Sequence, residues 1–227
     1  MKTVAIHSES GDRDVEYFVV EDEEALVYMA NSAAIPLHVW SSRVASLDRP
    51  DWTVLDLDPK QAPFGDVVRV AREIKELCDS IGLPCYAKTS GKTGMHVLVP
   101  LGRSVTYEHS RMLADLLALV VSRRYSEIAT VNRSLHARAD KVYIDAVQNG
   151  AGRLLVAPLC VRPFAGATVS TPLRWREVNS KLDMHRFTIK TVPARLRRMK
   201  NEPMLSVLDD APDLLDALRV LSEIERQ

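Results

Sequence analysis

Apolar and polar positions alternate along this chain with two different periods, and the changes of period divide it into elements. Over residues 52–58 the period is two. Residues two apart in a strand share a face, so Thr53, Leu55 and Leu57 point one way, and Val54, Asp56 and Asp58 the other. Pro59 follows as a turn residue. After Pro63 the period becomes helical: Val67, Val70, Ala71, Ile74, Leu77, Cys78 and Ile81 form one stripe, and Gly82 stops it. Residues 84–89 read as the next strand. The order strand, helix, strand predicts a βαβ-like unit. It sets Asp56 and Asp58 at the C-terminal end of the first strand, where open α/β sheets place ligands.

The remaining elements follow from the same rules. Residues 16–20 read as a strand, and Asp22 as the N-cap of a helix over 23–30 with acids in its first turn. Residues 35–40 are extended, with His38 and Trp40 on one face. A tight glycine-bearing turn at 90–94 leads into a strand at 95–99. Thr106 caps a second long helix whose apolar face is Met112, Leu113, Leu116, Leu117, Val120 and Val121. Residues 141–147 read as a strand, Asn149-Gly150 as a hairpin turn, and 154–157 as the strand that pairs back. Residues 158–200 are irregular and rich in Pro and Arg. A closing amphipathic helix over 212–227 carries Leu214, Leu218 and Leu221 on one side. With no internal repeat and no low-complexity linker, one domain over 1–227 is the expected organisation: an acidic stretch (1–31), a core (32–200) and the closing helix.

Composition changes this picture in one respect. The 227 residues are 46% hydrophobic and 26% charged, as expected of a protein with an ordinary core. No apolar run approaches a membrane span, and the first residues lack the apolar region of a signal peptide, so a cytoplasmic location and no membrane partner are expected. Cys78, Cys85 and Cys160 are too few and too scattered for a disulfide framework or a zinc site. Cys78 falls on the apolar side of its helix. Net charge is zero, yet unevenly spread: residues 1–31 hold eight acids and two bases, residues 204–227 six and two, and residues 32–203 carry a net +10. A basic body of this kind can attract a phosphate backbone.

Three features carry candidate chemistry. Asp56 and Asp58 place two carboxylates roughly 7 Å apart along one strand face, at about 3.3 Å per residue. Such a pair repels unless a cation relieves it, and hard divalent ions with oxygen ligands fit. Residues 88–96 (KTSGKTGMH) place two glycines where the backbone can approach a ligand, with consecutive N–H groups able to form an anion-binding nest. Ser90, Lys92, Thr93 and His96 add donors. The spacing is not that of a Walker A loop. Asp145 sits in an otherwise apolar strand, a poor place for an unpaired charge. Its partner is either Arg138 or Lys141, or a metal ion, and Gln148 and Asn149 add polar contacts in the same corner. Together these are parts of a two-metal phosphoryl-transfer site.

These motifs also stand in a recognisable order: LHVW at 37–40, LDLDP at 55–59, KTSG at 88–91 with GMH at 94–96, YID at 143–145, AP at 157–158 with Val161-Arg162, TPLRW at 171–175, and FTI at 187–189 with VPARL at 192–196. In combination they resemble the polymerase domain of bacterial ligase D, in the archaeo-eukaryotic primase superfamily, over roughly residues 15–200. The resemblance implies a primase-type α/β (α+β) core with a mixed, RRM-like sheet flanked by helices. It implies Asp56, Asp58 and Asp145 as catalytic, metal-binding carboxylates. Ser90, Gly91 and His96 match its triphosphate motif, His38 a histidine near the active site, and Arg162 an arginine near the incoming nucleotide. Lys88, Lys92, Thr93 and Gln148 complete the expected nucleotide-binding set.

The implied activity is addition of nucleotides, often ribonucleotides, to a DNA 3′-OH with two Mn²⁺ or Mg²⁺ ions and an NTP or dNTP. The implied setting is double-strand break repair beside Ku and a DNA ligase, in the bacterial nucleoid. Two departures stand out. Thr93 occupies the place before the second glycine where a lysine is expected, and Lys92 stands one position earlier. The family's long N-terminal segment, which grips the DNA end, is expected to be missing, as are ligase and phosphoesterase domains. Two other readings are a primase-like binding module without turnover and a sugar transferase of the Asp-x-Asp type. The latter class requires neither Asp145 nor the turn at 90–96.

Overall fold

The computed structural model describes residues 1–8, 12–138 and 140–225. The chain opens with an antiparallel hairpin of β1 (Lys2–Ser8) and β2 (Arg13–Val19), of which the hydrophobic pattern predicts only the second strand. In α1 (Glu23–Asn31) Asp22 is the N-cap, and its carboxylate accepts the Ala25 N–H at 2.8 Å. The extended piece at 35–40 forms only a short strand, β3 (His38–Val39). Then come β4 (Trp52–Asp58), α2 (Phe64–Ser80), β5 (Tyr86–Thr89), β6 (Met95–Pro100) and α3 (Tyr107–Arg124). The chain continues with β7 (Ala129–Thr130), α4 (Leu135–Arg138), β8 (Val142–Asp145), β9 (Leu155–Val156), β10 (Pro172–Leu173), α5 (Val192–Arg198) and α6 (Leu214–Glu225).

Among the described residues the central sheet runs β10-β5-β6-β4-β8-β7, all antiparallel pairs except β7 with β8. This corrects the simple βαβ unit: β6 lies between β4 and β5 and is antiparallel to both. The turn between β5 and β6 is too short for anything but a hairpin, so β5 is carried to the far side of β6. The result, β4-α2-β5-β6-α3-β8, is the split βαβ arrangement of ferredoxin-like sheets. It moves the aspartates from a strand-end crevice to the open face of the sheet.

The two faces of the sheet do different work. Leu55, Leu57, Met95, Val97 and Val99 are wholly buried against α2 and α3. Each such side chain contributes roughly 1.5–3 kcal/mol. The α2 stripe is buried as its spacing predicts, Cys78 included. The helix ends in a Schellman motif: Gly82 at φ +72° donates to Asp79 O, and Leu83 N to Cys78 O. Two stripes need correction. On α3, Met112 is exposed and Ser110, Ala114 and Ala118 are buried instead, because small residues let the helix lie close to the sheet. On α6, Leu218 is exposed, and Leu214, Ala217 and Leu221 face the core. No helix of the described residues is long and apolar enough to cross a membrane.

The opposite face changes character along the strands. At one end Val54 and Leu98 pack with Leu155, Met204 and Val207. Two residues further, the same face carries Asp56 and His96. The hairpin expected at Asn149-Gly150 does not form. Asn149 is buried, its Oδ1 accepts the Val54 N–H at 2.7 Å and its Nδ2 donates to Val54 O at 2.7 Å. With the amide clamped to β4, the chain leaves β8 through a short 3₁₀ turn, and β9 pairs with β3, not with β8. The β3–β9 pair therefore lies outside the central sheet.

Candidate active site

Cross-strand register builds the site. Asp56 on β4 faces His96 on β6 and Asp145 on β8, and His96 faces Lys88 on β5. Four adjacent strands thus present Lys88, His96, Asp56 and Asp145 in one row, at the roughly 5 Å spacing of directly opposed residues. Asp58 stands two residues further along the same face, opposite Tyr143.

The row is wired by polar contacts. Lys88 is fully buried, and its Nζ lies 2.8 Å from His96 Nδ1, 3.0 Å from Val156 O and 2.8 Å from Ser170 Oγ. His96 Nε2 is 3.4 Å from Asp56 Oδ1. Burial, reinforced by the Lys88 charge, lowers the His96 pKa and keeps the ring neutral. Burial pushes Asp56 upward, but His96, Lys88 and Arg162 together outweigh it and hold the carboxyl below its usual range. Asp145 moves the other way: burial raises it and the facing Asp56 adds to the rise, against the Val147 N–H at 2.7 Å. The two facing carboxylates are thus displaced in opposite directions, Asp56 by its cationic and hydrogen-bonding neighbours and Asp145 by burial and the charge of Asp56.

A cavity of about 340 Å³ lies over this row. His38, Asp56, Asp58, Ser90, Lys92, Thr93, His96, Asp145, Gln148 and Arg162 all line it, so ten of the twelve expected site residues meet there. The exceptions are Lys88 and Gly91. Lys88 is wholly buried and touches two lining residues, His96 and Val156. Gly91 shapes the turn: its φ is +73°, and a Cβ there would meet Arg162 Cγ at 2.7 Å. The turn itself corrects a second expectation. The Lys92 and Gly94 N–H groups are donated to Ser90 Oγ at 3.2 and 3.0 Å, so they do not point outward as an anion nest. The cationic donors that line the cavity are side chains. Arg162 Nε is buried without a hydrogen-bond partner among the described residues, and Lys92 stands at the rim, 5.6 Å from the Phe164 ring centre.

Asp145 is not paired with Arg138 or Lys141. Arg138 stacks on the Tyr143 ring at 3.5 Å and reaches Asp58 at 3.6 Å, while Lys141 Nζ bonds Ser126 O. Asn149, clamped on β4, supplies no ligand. Residues that pattern reading missed are Tyr143 and Arg138 as cavity walls and Ser170 beside Lys88. Gly94, expected to let the backbone approach a ligand, approaches β4 instead, where a Cβ would meet Leu57 O at 1.9 Å. Gly94→Ala is therefore expected to force β6 off β4 between the two aspartates. A loss of at least about 1–3 kcal/mol in urea unfolding and of nucleotide binding is the expected result. Gly65→Ala, in α2 with nothing near its Cβ, serves as the control.

Asp56, Asp58 and Asp145 are the residues that could hold metal. Among the described residues no three His, Cys, Asp or Glu side chains gather tightly enough to enclose an ion by themselves. An open carboxylate face still suits Mg²⁺ or Mn²⁺, which take oxygen ligands and complete their shells with water and substrate phosphates.

Known proteins provide the context for this geometry. The family model described as "LigD, primase-polymerase domain" matches residues 1–204, extending the resemblance to the start of the chain. The chain is 35% identical over 189 residues to the bifunctional non-homologous end joining protein LigD of Bacillus subtilis, covering 82% of this chain and 31% of that protein. It is 31% identical over 184 residues to the multifunctional LigD of Pseudomonas aeruginosa, covering 81% and 22%. The chain thus spans a third or less of the length of these relatives. The polymerase domain of Mycobacterium tuberculosis ligase D, solved in complex with DNA, superimposes with a TM-score of 0.82 at 25% identity, covering 93% of this chain and 75% of that one. The mixed α/β fold expected from the motifs is the fold found, and the chain belongs to the LigD primase-polymerase domain family.

Proposed function

We propose that this chain is a metal-dependent nucleotidyltransferase that adds nucleotides to a 3′-OH of DNA during end joining. The observation that carries the reading is the row Lys88, His96, Asp56 and Asp145 under a cavity walled by the Ser90 turn and Arg162. On this reading Asp56, Asp58 and Asp145 are the residues that would hold two Mg²⁺ or Mn²⁺ ions, and the chemistry such ions would supply is activation of the attacking hydroxyl and charge neutralisation at the leaving pyrophosphate. His96 donates Nε2–H toward the cavity, and Arg162 and Lys92 supply positive charge for the triphosphate. Ser90 Oγ, held by two backbone N–H groups, keeps its own proton to donate. His38, on the β3 strand above the row, adds a polar contact at the rim.

The names of the relatives support end joining as the setting, and the neighbour solved with DNA supports a DNA substrate; Ku and a DNA ligase are the partners proposed for that setting. The test is primer extension on gapped and blunt-ended templates, with Mn²⁺ or Mg²⁺ and with NTPs or dNTPs. Metal-dependent extension that EDTA abolishes is the expected result. No incorporation under any of these conditions overturns the proposal.

A further inference from the structure

A second concave surface lies outside the candidate active site. Residues between Arg174 and Met199, from the 3₁₀ turns that follow β10 and from α5, enclose a cleft of about 720 Å³, larger than the cavity over the aspartates. Five cations line it, against two carboxylates. Glu177 is already matched, since Arg195 binds both its oxygens and Arg174 adds a further positive charge. The Asp183 carboxylate accepts the His185 N–H. Among the described residues Arg174, Lys181, Arg186 and Arg198 make no salt bridge. Arg195 Nε is buried without a hydrogen-bond partner among the described residues. The floor between these charges is apolar: Leu182, Phe187 and Met199.

The cleft is joined to the active-site turn through one strand-like segment. Val169 N donates to Phe187 O, and Ile189 N to Ala167 O. On its other side the same segment holds the turn, where Thr168 Oγ1 donates to Gly91 O. At roughly 4.8 Å per strand spacing, the wall at Phe187 lies on the order of 10 Å from the Ser90–Gly94 turn.

We propose that this cleft binds the phosphate backbone of a single-stranded stretch of nucleic acid. Excess cations in a concave, partly apolar channel attract phosphates and give bases a dry surface. A charged groove with an aromatic ring, here Phe187, beside the charges is the arrangement that holds single strands. The proposal rests on the nucleotidyltransferase reading and adds a second contact for the same substrate.

The experiment is fluorescence anisotropy of a labelled single-stranded oligonucleotide, titrated with the full chain at several salt concentrations. Arg186→Ala/Arg198→Ala removes two exposed cleft cations. Arg176→Ala/Arg197→Ala removes two exposed cations from the same segment that do not line the cleft, so net charge is equal. The cleft variant is expected to bind about tenfold more weakly at low salt. Its slope of log affinity against log salt should be shallower by about 1.4, while the control variant changes little. Equal losses in the two variants, or no loss in the cleft variant, overturn the cleft assignment alone. A parent chain that binds neither single-stranded nor gapped DNA overturns both readings. Binding of inorganic polyphosphate at the cleft with no binding of the oligonucleotide there would mean a free-anion site and would also overturn it.

Discussion

Asp56→Asn is expected to lower nucleotide addition by at least about a thousandfold while leaving the chain folded. Asp56 is the centre of the row, in register with His96 on one side and Asp145 on the other. A ligand carboxylate that stabilises developing charge contributes several kcal/mol to the transition state, and each 1.36 kcal/mol is a factor of ten in rate. The fold should lose little. Asn keeps an oxygen that can accept His96 Nε2–H, so only charge is removed. Relief of the repulsion that raises Asp145 opposes the lost attraction to Lys88 and Arg162. Primer extension in Mn²⁺ and a thermal melt together check this. A rate within tenfold of the parent removes Asp56 from the metal set. A melting point lowered by ten degrees or more would mean that its role is structural. Asp58→Asn, with its carboxylate also reached by Arg138, makes a milder companion.

Local pattern reading found what local physics decides. The alternation of Leu55 and Leu57 with Asp56 and Asp58, the stripe of α2 and the caps Asp22, Thr106 and Gly82 all stand in the structure. Each depends on residues within a few positions of one another. What pattern reading missed depends on pairing across long separations. Nothing near residues 149–156 says that Asn149 will clamp Val54, or that β9 will join β3. Once the amide is committed to β4, the Asn-Gly turn signal is overridden. The placing of Asp145 beside Asp56 is of the same kind. An aspartate in an apolar strand announced only that a partner exists. Arg138 and Lys141, its nearest cations in sequence, turned out to be engaged elsewhere. The motif order, which carries non-local information, singles out ten residues that the fold brings to one cavity. It did not separate residues that face the cavity from those that hold them there, and Lys88 belongs to the second kind.

Lys88 is expected to make stability and nucleotide affinity respond to pH in opposite directions. Its three ammonium protons match three acceptors: His96 Nδ1, Val156 O and Ser170 Oγ. Ser170 Oγ spends its own proton on Thr89 O, so Lys88 must be the donor there. A charged Lys88 leaves His96 as the Nε2–H tautomer, aimed at Asp56 and the cavity. Burial, with Arg162 adding, pushes the lysine down to about 7, whereas the unfolded chain titrates near 10.4. Between these values the unfolded chain binds more protons, so stability rises with pH across this window and is lost as pH falls through about 7. The slope is at most about 1.4 kcal/mol per pH unit.

Affinity should run the other way. A neutral amine has two protons for three acceptors. His96 then takes a proton on Nδ1, and Nε2 turns a lone pair toward the Asp56 carboxylate. Urea unfolding and nucleotide titration across pH 6–10, in parent and Lys88→Met, measure both. The variant is expected to lose the stability slope, because the other lysines cancel in the comparison. It should also bind nucleotide weakly and evenly at every pH, with no alkaline fall left to lose. Identical pH profiles for the two proteins would show that Lys88 neither titrates in this window nor fixes the tautomer of His96.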